Sequence, residues 1–158
     1  MLELNSLVAC QNVALDIFTN QWIYISIVDT IMLLSAHVDG ELAQQHPDIK
    51  HVIPGMTICA TLWGTAEEIN EEYEYRVTVV APDGRETQEG QSNKFAFSGP
   101  YHRLLHKTAL IATRLAGHYQ YRLYIRKREE DWILLGRTYF SLSEISIEAN
   151  PLEQTNPS

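Results

Sequence analysis

Polar and hydrophobic side chains alternate at every second position in several short stretches of this chain. In residues 72–79, tyrosine and valine fill one side, while charged and hydroxyl side chains fill the other. Because successive side chains of a β-strand point to opposite faces, this period of two predicts a half-buried strand. The sequence APDG at 81–84 favours a tight turn, so we expect a hairpin into residues 85–97.

The alternation returns near the end of the chain. In residues 118–128 one face carries tyrosine, leucine and isoleucine, and the other carries three arginines together with histidine, glutamine and tyrosine. A further strand-like stretch follows, so residues 118–142 are predicted to form a second hairpin. Other predicted strands cover 7–18, 55–64 and the run 22–34, which is apolar on both faces.

The segment 101–116 has two interpretations. Its leucine and alanine positions fit a helix, and Leu105, Ala109, Ile111 and Leu115 also fit one face of a strand. The motif L-x-G-x-Y, which ends at Tyr119, favours the strand. It is typical of a tyrosine corner, in which the tyrosine at an arch between two sheets bonds back to nearby backbone.

Short strands separated by turn signals predict an all-β fold, which we take to be an antiparallel Greek-key β-sandwich of about seven to nine strands. A single domain would cover residues 1–145 and include an irregular insertion near 36–53. The polar, proline-bearing tail 146–158 is expected to be disordered.

Three stretches make the chain resemble immunoglobulin-like sandwiches, and in particular a group of small uncharacterised bacterial proteins. They are LVACQNVALDIFTNQWIYISIVDTI at 7–31, VVAPDGRE at 79–86 and GHYQYRLYI at 117–125. The resemblance covers residues 6–142 and departs from the group in its longer insertion near 36–53. It implies a fold and a bacterial source but no activity, because the group has none assigned and fold alone does not imply function.

Charge and cysteine content narrow the partners and the compartment. The 158 residues carry a net charge of -8, which argues against nucleic acid and anionic membranes as partners. The longest apolar run, 22–36, falls short of the roughly twenty residues that span a bilayer, and no signal peptide is evident. We therefore expect a cytoplasmic protein in which Cys10 and Cys59 are buried free thiols rather than a disulfide.

An arginine and tyrosine stripe is the first candidate site. Both residue types are enriched at protein interfaces, because they bury a large area and still make directed hydrogen bonds. The stripe therefore predicts a non-catalytic binding or scaffolding module that uses a sheet face to bind a protein partner or a second copy. Its residues are Arg122, Tyr124, Arg126, Arg128 and, on the adjacent strand, Arg137.

A purely structural interpretation of the stripe stays open. In it, the arginines pair with carboxylates on neighbouring strands, for about 0.2–1 kcal/mol each. Glu72, Glu74, Glu129 and Glu130 are the carboxylates available for this pairing.

The insertion carries the second functional hypothesis, a metal-assisted hydrolase. His37, His46 and His51 lie there among three carboxylates, although their spacing matches no metal motif. No nucleophile motif or phosphate loop is present, so the sequence favours a protein that is not an enzyme and needs no cofactor.

The apolar run 22–34 also bears on assembly. A strand that is apolar on both faces is either central in a sheet or placed at an interface, which predicts a homo-oligomer. The alternative is that the insertion near 36–53 covers its second face.

Overall fold

The structure, a computed structural model, describes residues 2–16, 21–28, 30–34 and 51–145. Within these ranges the regular structure is β, apart from one 3₁₀ turn at Ala66–Glu68, so the predicted all-β class is confirmed. The strands are β1 (Glu3–Asp16), β2 (Gln21–Ile27), β3 (Thr30–Leu34), β4 (His51–Ile53), β5 (Thr57–Trp63), β6 (Glu72–Val80), β7 (Glu86–Ala96), β8 (Tyr101–Lys107), β9 (Ile111–Thr113), β10 (Gly117–Lys127) and β11 (Ile133–Ile145).

Two sheets form a β-sandwich, as predicted. One has the strand order β2-β1-β5-β8, and the other has the order β3-β11-β10-β6-β7. Within these two sheets, the described strands pair antiparallel except β3 and β11, which pair in parallel. The short strands β4 and β9 form a separate two-stranded ribbon. The chain passes between the large sheets at β5–β6 and β7–β8, as in a Greek key.

The core lies between the inner faces of the two sheets. The period of two in β10 directs Tyr119, Tyr121, Leu123 and Ile125 inward, and all four are buried. From the opposite sheet, alternate residues of β5 meet them, so both inner faces are apolar. Because these residues of β10 point inward, the arginines between them point to the outer surface of the sheet, where the candidate site lies.

The run 22–34 is not one strand, which corrects the sequence prediction. β2 pairs with β1 in the four-stranded sheet, whereas β3 pairs with β11 in the five-stranded sheet. At the end of β2, the Val28 backbone N–H donates to the Ala9 carbonyl at 3.0 Å, so the chain stays on the first sheet until it crosses. The apolar run thus contributes one strand to each sheet. The homo-oligomer stays a prediction.

Strand structure is confirmed in the segment 101–116, which forms β8 and β9. The predicted facing was wrong, because Leu105 is 49% exposed while Leu104 and His106 are buried. The two strands are separated at Thr108, which exchanges backbone and hydroxyl hydrogen bonds with Met56. That break in alternation cannot be seen in the pattern of leucine and alanine.

The tyrosine corner is present at Tyr119. Its hydroxyl donates to the Leu115 carbonyl at 2.7 Å and accepts a hydrogen bond from the Thr113 hydroxyl, whose Oγ1 lies 3.0 Å away. Gly117 adopts a φ of 132°, a conformation that L side chains rarely adopt, and this lets the chain turn into β10. The corner ties the segment after β9 to the five-stranded sheet.

Removing the corner hydroxyl tests its contribution to stability. Tyr119→Phe is expected to lower the free energy of unfolding by about 1–2 kcal/mol, because the partly buried Leu115 carbonyl loses its donor while the ring still fills its space. Urea denaturation measures the change, and Tyr139→Phe, at a residue that is 57% exposed, is the matched control. Equal losses in the two variants would contradict the corner's role.

The two cysteines are buried and unjoined. Their Sγ atoms lie 3.7 Å apart, and Cys10 also donates to the Thr57 carbonyl at 3.6 Å. Burial, followed by the adjacent Cys10, raises the pKa of Cys59 to about 12, so this thiol stays protonated at neutral pH.

In the same described ranges, no helix has the length and apolar character that crossing a bilayer requires.

Parts of the sequence prediction lie outside the described residues. They include the tail 146–158 and all of the insertion near 36–53 except its last three residues. Those three residues form β4, which pairs with β9, so the end of the insertion is regular rather than irregular.

Candidate functional site

The predicted stripe lies on the outer surface of the five-stranded sheet, which we call the arginine face. The register of β10 with β6 and β11 places arginines from all three strands on this surface. Its members are Arg76, Arg122, Tyr124, Arg126, Arg128, Trp132 and Arg137.

Glu86 organises one end of the face. Its carboxylate accepts hydrogen bonds from Arg122 Nη1 at 2.7 Å, from the Tyr124 hydroxyl at 2.9 Å and from Thr78 Oγ1 at 2.5 Å. Burial alone would raise the pKa of Glu86, but the bonds from Thr78 and Tyr124 and the charge of Arg122 outweigh it and lower the pKa. Glu86 is therefore ionised, and it holds both Arg122 and Tyr124 in place.

Glu74 organises the other end. Arg126 donates to one of its carboxylate oxygens from Nε at 2.8 Å and from Nη2 at 2.5 Å. Lys94, on the neighbouring strand β7, lies 3.9 Å from the same carboxylate and 3.1 Å from Glu72. The cross-strand pairing of the structural interpretation thus exists for Arg126, while Arg122 pairs with Glu86, which that interpretation did not include.

Arg76 and Trp132 are members of the face that the sequence prediction missed. The Arg76 guanidinium carbon lies 5.0 Å from the centre of the Tyr124 ring and 4.6 Å from the centre of the Trp132 ring. Arg126 contacts the same indole at 4.5 Å. Such cation–π contacts contribute about 0.5–2 kcal/mol and hold the guanidinium planes against the rings.

Arg76 has no carboxylate partner in the part of the chain that the structure describes. The pairing of β6 with β7 shifts register between Tyr75 and Val77, so no residue of β7 pairs with Arg76. On the other side its neighbour is Tyr124. The Arg76 Nε is buried without a hydrogen bond. A partly buried guanidinium without an anion is unusual, because buried polar groups normally have partners.

Arg128 and Arg137 are the exposed members of the face. Arg128 follows the end of β10 with a φ of 46°, and Arg137 is in register with Arg122. Neither forms an ion pair with another described residue. Arg128 lines a shallow surface groove of about 610 Å³. The other residues of this groove are Glu72, Glu74, Lys94, Arg126 and Glu129.

A second polar cluster lies at the edge of the sandwich between β7 and β8. Glu89 and His106 are each 7% exposed, and the His106 ring bonds the Glu89 backbone. The Glu89 carboxylate accepts a hydrogen bond from the Ala109 backbone. Burial raises the pKa of Glu89 and lowers that of His106, so each group is pushed toward its neutral form. No sequence motif pointed to this cluster.

Most residues of the predicted metal site lie outside the described ranges. His37 and His46 are not among the described residues, and for His51 only the backbone strand is described. Across the described ranges, no three His, Cys, Asp or Glu side chains are grouped so that they could hold a metal ion. The metal-assisted hydrolase therefore stays a prediction.

Comparison with known proteins found no match, so a functional assignment depends on the geometry of the arginine face. The chain matches no protein-family model. A search of curated proteins also found no relative.

Proposed function

We propose that this chain is a non-catalytic protein-binding module that uses its arginine face. The observation that carries the proposal is Arg76, a guanidinium in contact with two aromatic rings and with no anion beside it among the residues that the structure describes. Arginine, tyrosine and tryptophan are the residues that most often dominate binding energy at protein interfaces. Here all three types converge on one sheet surface.

The rigidity of the face supports the same proposal. Tyr124 is held by Glu86, and Trp132 lies against both Arg76 and Arg126. Side chains that are already ordered lose less conformational entropy when a partner binds. The proposal keeps the resemblance to immunoglobulin-like sandwiches and a cytoplasmic location, the latter because Cys10 and Cys59 lie in contact as free thiols.

Charge reversal at Arg137 tests the proposal. Arg137→Glu is expected to weaken capture of the protein partner by at least about tenfold, since like charges across an interface cost several kcal/mol. Arg137 suits the test because its replacement breaks no ion pair, whereas reversing Arg122 or Arg126 would set two carboxylates against each other. Quantitative affinity capture from cells that naturally express the protein measures the change.

Lys107→Glu is the matched control. Lys107 is exposed on β8, in the opposite sheet, and the variant makes the same change of charge. Capture that falls equally for both variants, or for neither, would contradict binding through the arginine face.

A further inference from the structure

We propose that the partner presents a carboxylate on an acidic peptide segment and that Arg76 is the receptor for it. This inference rests on the proposed function, because it assigns the chemistry of the group that the arginine face binds. The Arg76 Nε is the atom shielded from solvent without a hydrogen bond. The terminal Nη atoms are left as the donors, and two parallel N–H groups match the two oxygens of a carboxylate.

The position of Arg76 is fixed before any ligand binds. The Tyr124 ring centre lies 5.0 Å from its guanidinium carbon, and this ring is anchored because its hydroxyl donates to Glu86 at 2.9 Å. Trp132 contacts the guanidinium at 4.6 Å and is itself in contact with Arg126 at 4.5 Å. A guanidinium that already contacts two rings loses little conformational entropy when it binds a carboxylate.

The distribution of charge on the face selects an anionic occupant. Glu74 and Glu86 are already paired with Arg126 and Arg122. Arg76, Arg128 and Arg137 have no ion pair with any residue that the structure describes. The face therefore has cations in excess, although the whole chain carries a net charge of -8.

The same carboxylates favour a singly charged ligand group over a phosphate. Glu74 is adjacent to Arg126 and Glu86 to Arg122, one on each side of the Tyr124 position of β10. A phosphate monoester carries about twice the charge of a carboxylate at pH 7, so its attraction to the arginines and its repulsion from these two carboxylates both roughly double, whereas the cost of removing it from water rises about fourfold, with the square of its charge. An acidic protein segment is thus the occupant that fits, rather than a phosphopeptide or nucleic acid.

Arginine side-chain NMR tests this assignment on the whole chain. In ¹H–¹⁵N spectra, the Nε–H signal of Arg76 is identified by its loss in Arg76→Lys. Titration with an acetylated hexaglutamate peptide is expected to shift that signal saturably, while a hexaglutamine peptide of the same length leaves it in place. Inorganic phosphate is the third probe, and we expect it to act more weakly than hexaglutamate.

The variant arm uses Arg76→Gln, with Lys107→Gln as a control that removes the same charge from the opposite sheet. Arg76→Gln is expected to weaken hexaglutamate binding by at least about tenfold, and Lys107→Gln by less than about twofold. An unmoved Arg76 signal in the wild type, tighter binding of phosphate, or full affinity in Arg76→Gln would each overturn the inference. If Arg76→Gln does not fold, the wild-type titration still decides.

Failure of this inference can be separated from failure of the proposed function. If hexaglutamate leaves Arg76 unmoved but Arg137→Glu still abolishes capture, the face binds a partner by other chemistry. If Arg137→Glu and Lys107→Glu behave alike, the arginine face is not the binding surface.

Discussion

Replacing Phe140 by alanine is expected to lower the free energy of unfolding by about 3–5 kcal/mol, the range for deleting a buried phenyl ring. Phe140 is 1% exposed and lies on the inner face of β11. Its ring stacks on Tyr119 with centroids 5.1 Å apart and on Tyr121 with centroids 5.4 Å apart. The variant therefore leaves a cavity beside the tyrosine corner and unsupported rings on β10.

The adjacent residue supplies the control for Phe140→Ala. Tyr139 points outward from the same strand and is 57% exposed, so Tyr139→Ala is expected to change stability by no more than about 0.5 kcal/mol. Urea denaturation of both variants measures the difference. A loss at Tyr139 as large as that at Phe140 would mean that β11 faces the core with its other side.

Glu89→Gln is expected to stabilise the protein at pH 8 by about 1–2 kcal/mol, because ionising this buried carboxyl costs more in the folded chain than in the unfolded chain. Burial raises the pKa of Glu89 above its ordinary value of 4.5, so the folded chain holds this proton more tightly than the unfolded chain does. The stability it contributes is fully present below pH 4.5 and is lost as the pH rises through the folded pKa. Glutamine has no such proton, so the gain should grow with pH.

His106, in the same cluster, changes the stability of the fold with pH in the opposite direction to Glu89. Burial lowers its pKa below 6.5, so the unfolded chain takes up the proton first and the folded state loses stability as the pH falls below that value. Replacing it with glutamine should remove this acid-side loss. The other titratable groups close by are Tyr75, whose ring centre is 6.0 Å from that of His106, and the buried Tyr121.

Urea unfolding of the wild type, Glu89→Gln and His106→Gln at pH 5, 6, 7 and 8 measures both effects. The expected pattern is a gain at high pH for the first variant and a flatter profile at low pH for the second. A gain in Glu89→Gln that is the same at every pH would contradict the titration of a buried carboxyl.

Local periodicity was sufficient to predict much of the fold. The alternation of β10 identified which residues face inward, and the motif ending at Tyr119 identified the corner. Local periodicity was insufficient where the chain passes from one sheet to the other. The break after Val28 depends on β3 pairing in parallel with β11, a contact between distant segments that a local pattern does not contain.

The candidate site was predicted only in part for the same reason. Arg122, Tyr124 and Arg126 follow from the period of two along one strand. Arg76 and Trp132 join them only through the register of β6 with β10 and the stacking of the indole on the guanidinium. The register shift between β6 and β7 leaves Arg76 without a paired residue on β7. Gly90, with a φ of 73°, is the local sign of this bulge in the sequence, but a single glycine does not predict which pairing is lost.

Site-specific photo-cross-linking tests most directly whether the arginine face is the binding surface. A benzophenone amino acid is placed at position 139, on the outer surface of the five-stranded sheet, or at position 101, on that of the four-stranded sheet. Tyr139 and Tyr101 are comparably exposed, at 57% and 54%, so the two positions differ in sheet rather than in accessibility. In cells that naturally express the protein, we expect a discrete protein adduct from position 139, lost on Arg137→Glu, and none from position 101. Adducts from position 101 alone, equal adducts from both positions, or none from position 139 would contradict a binding module that uses the arginine face.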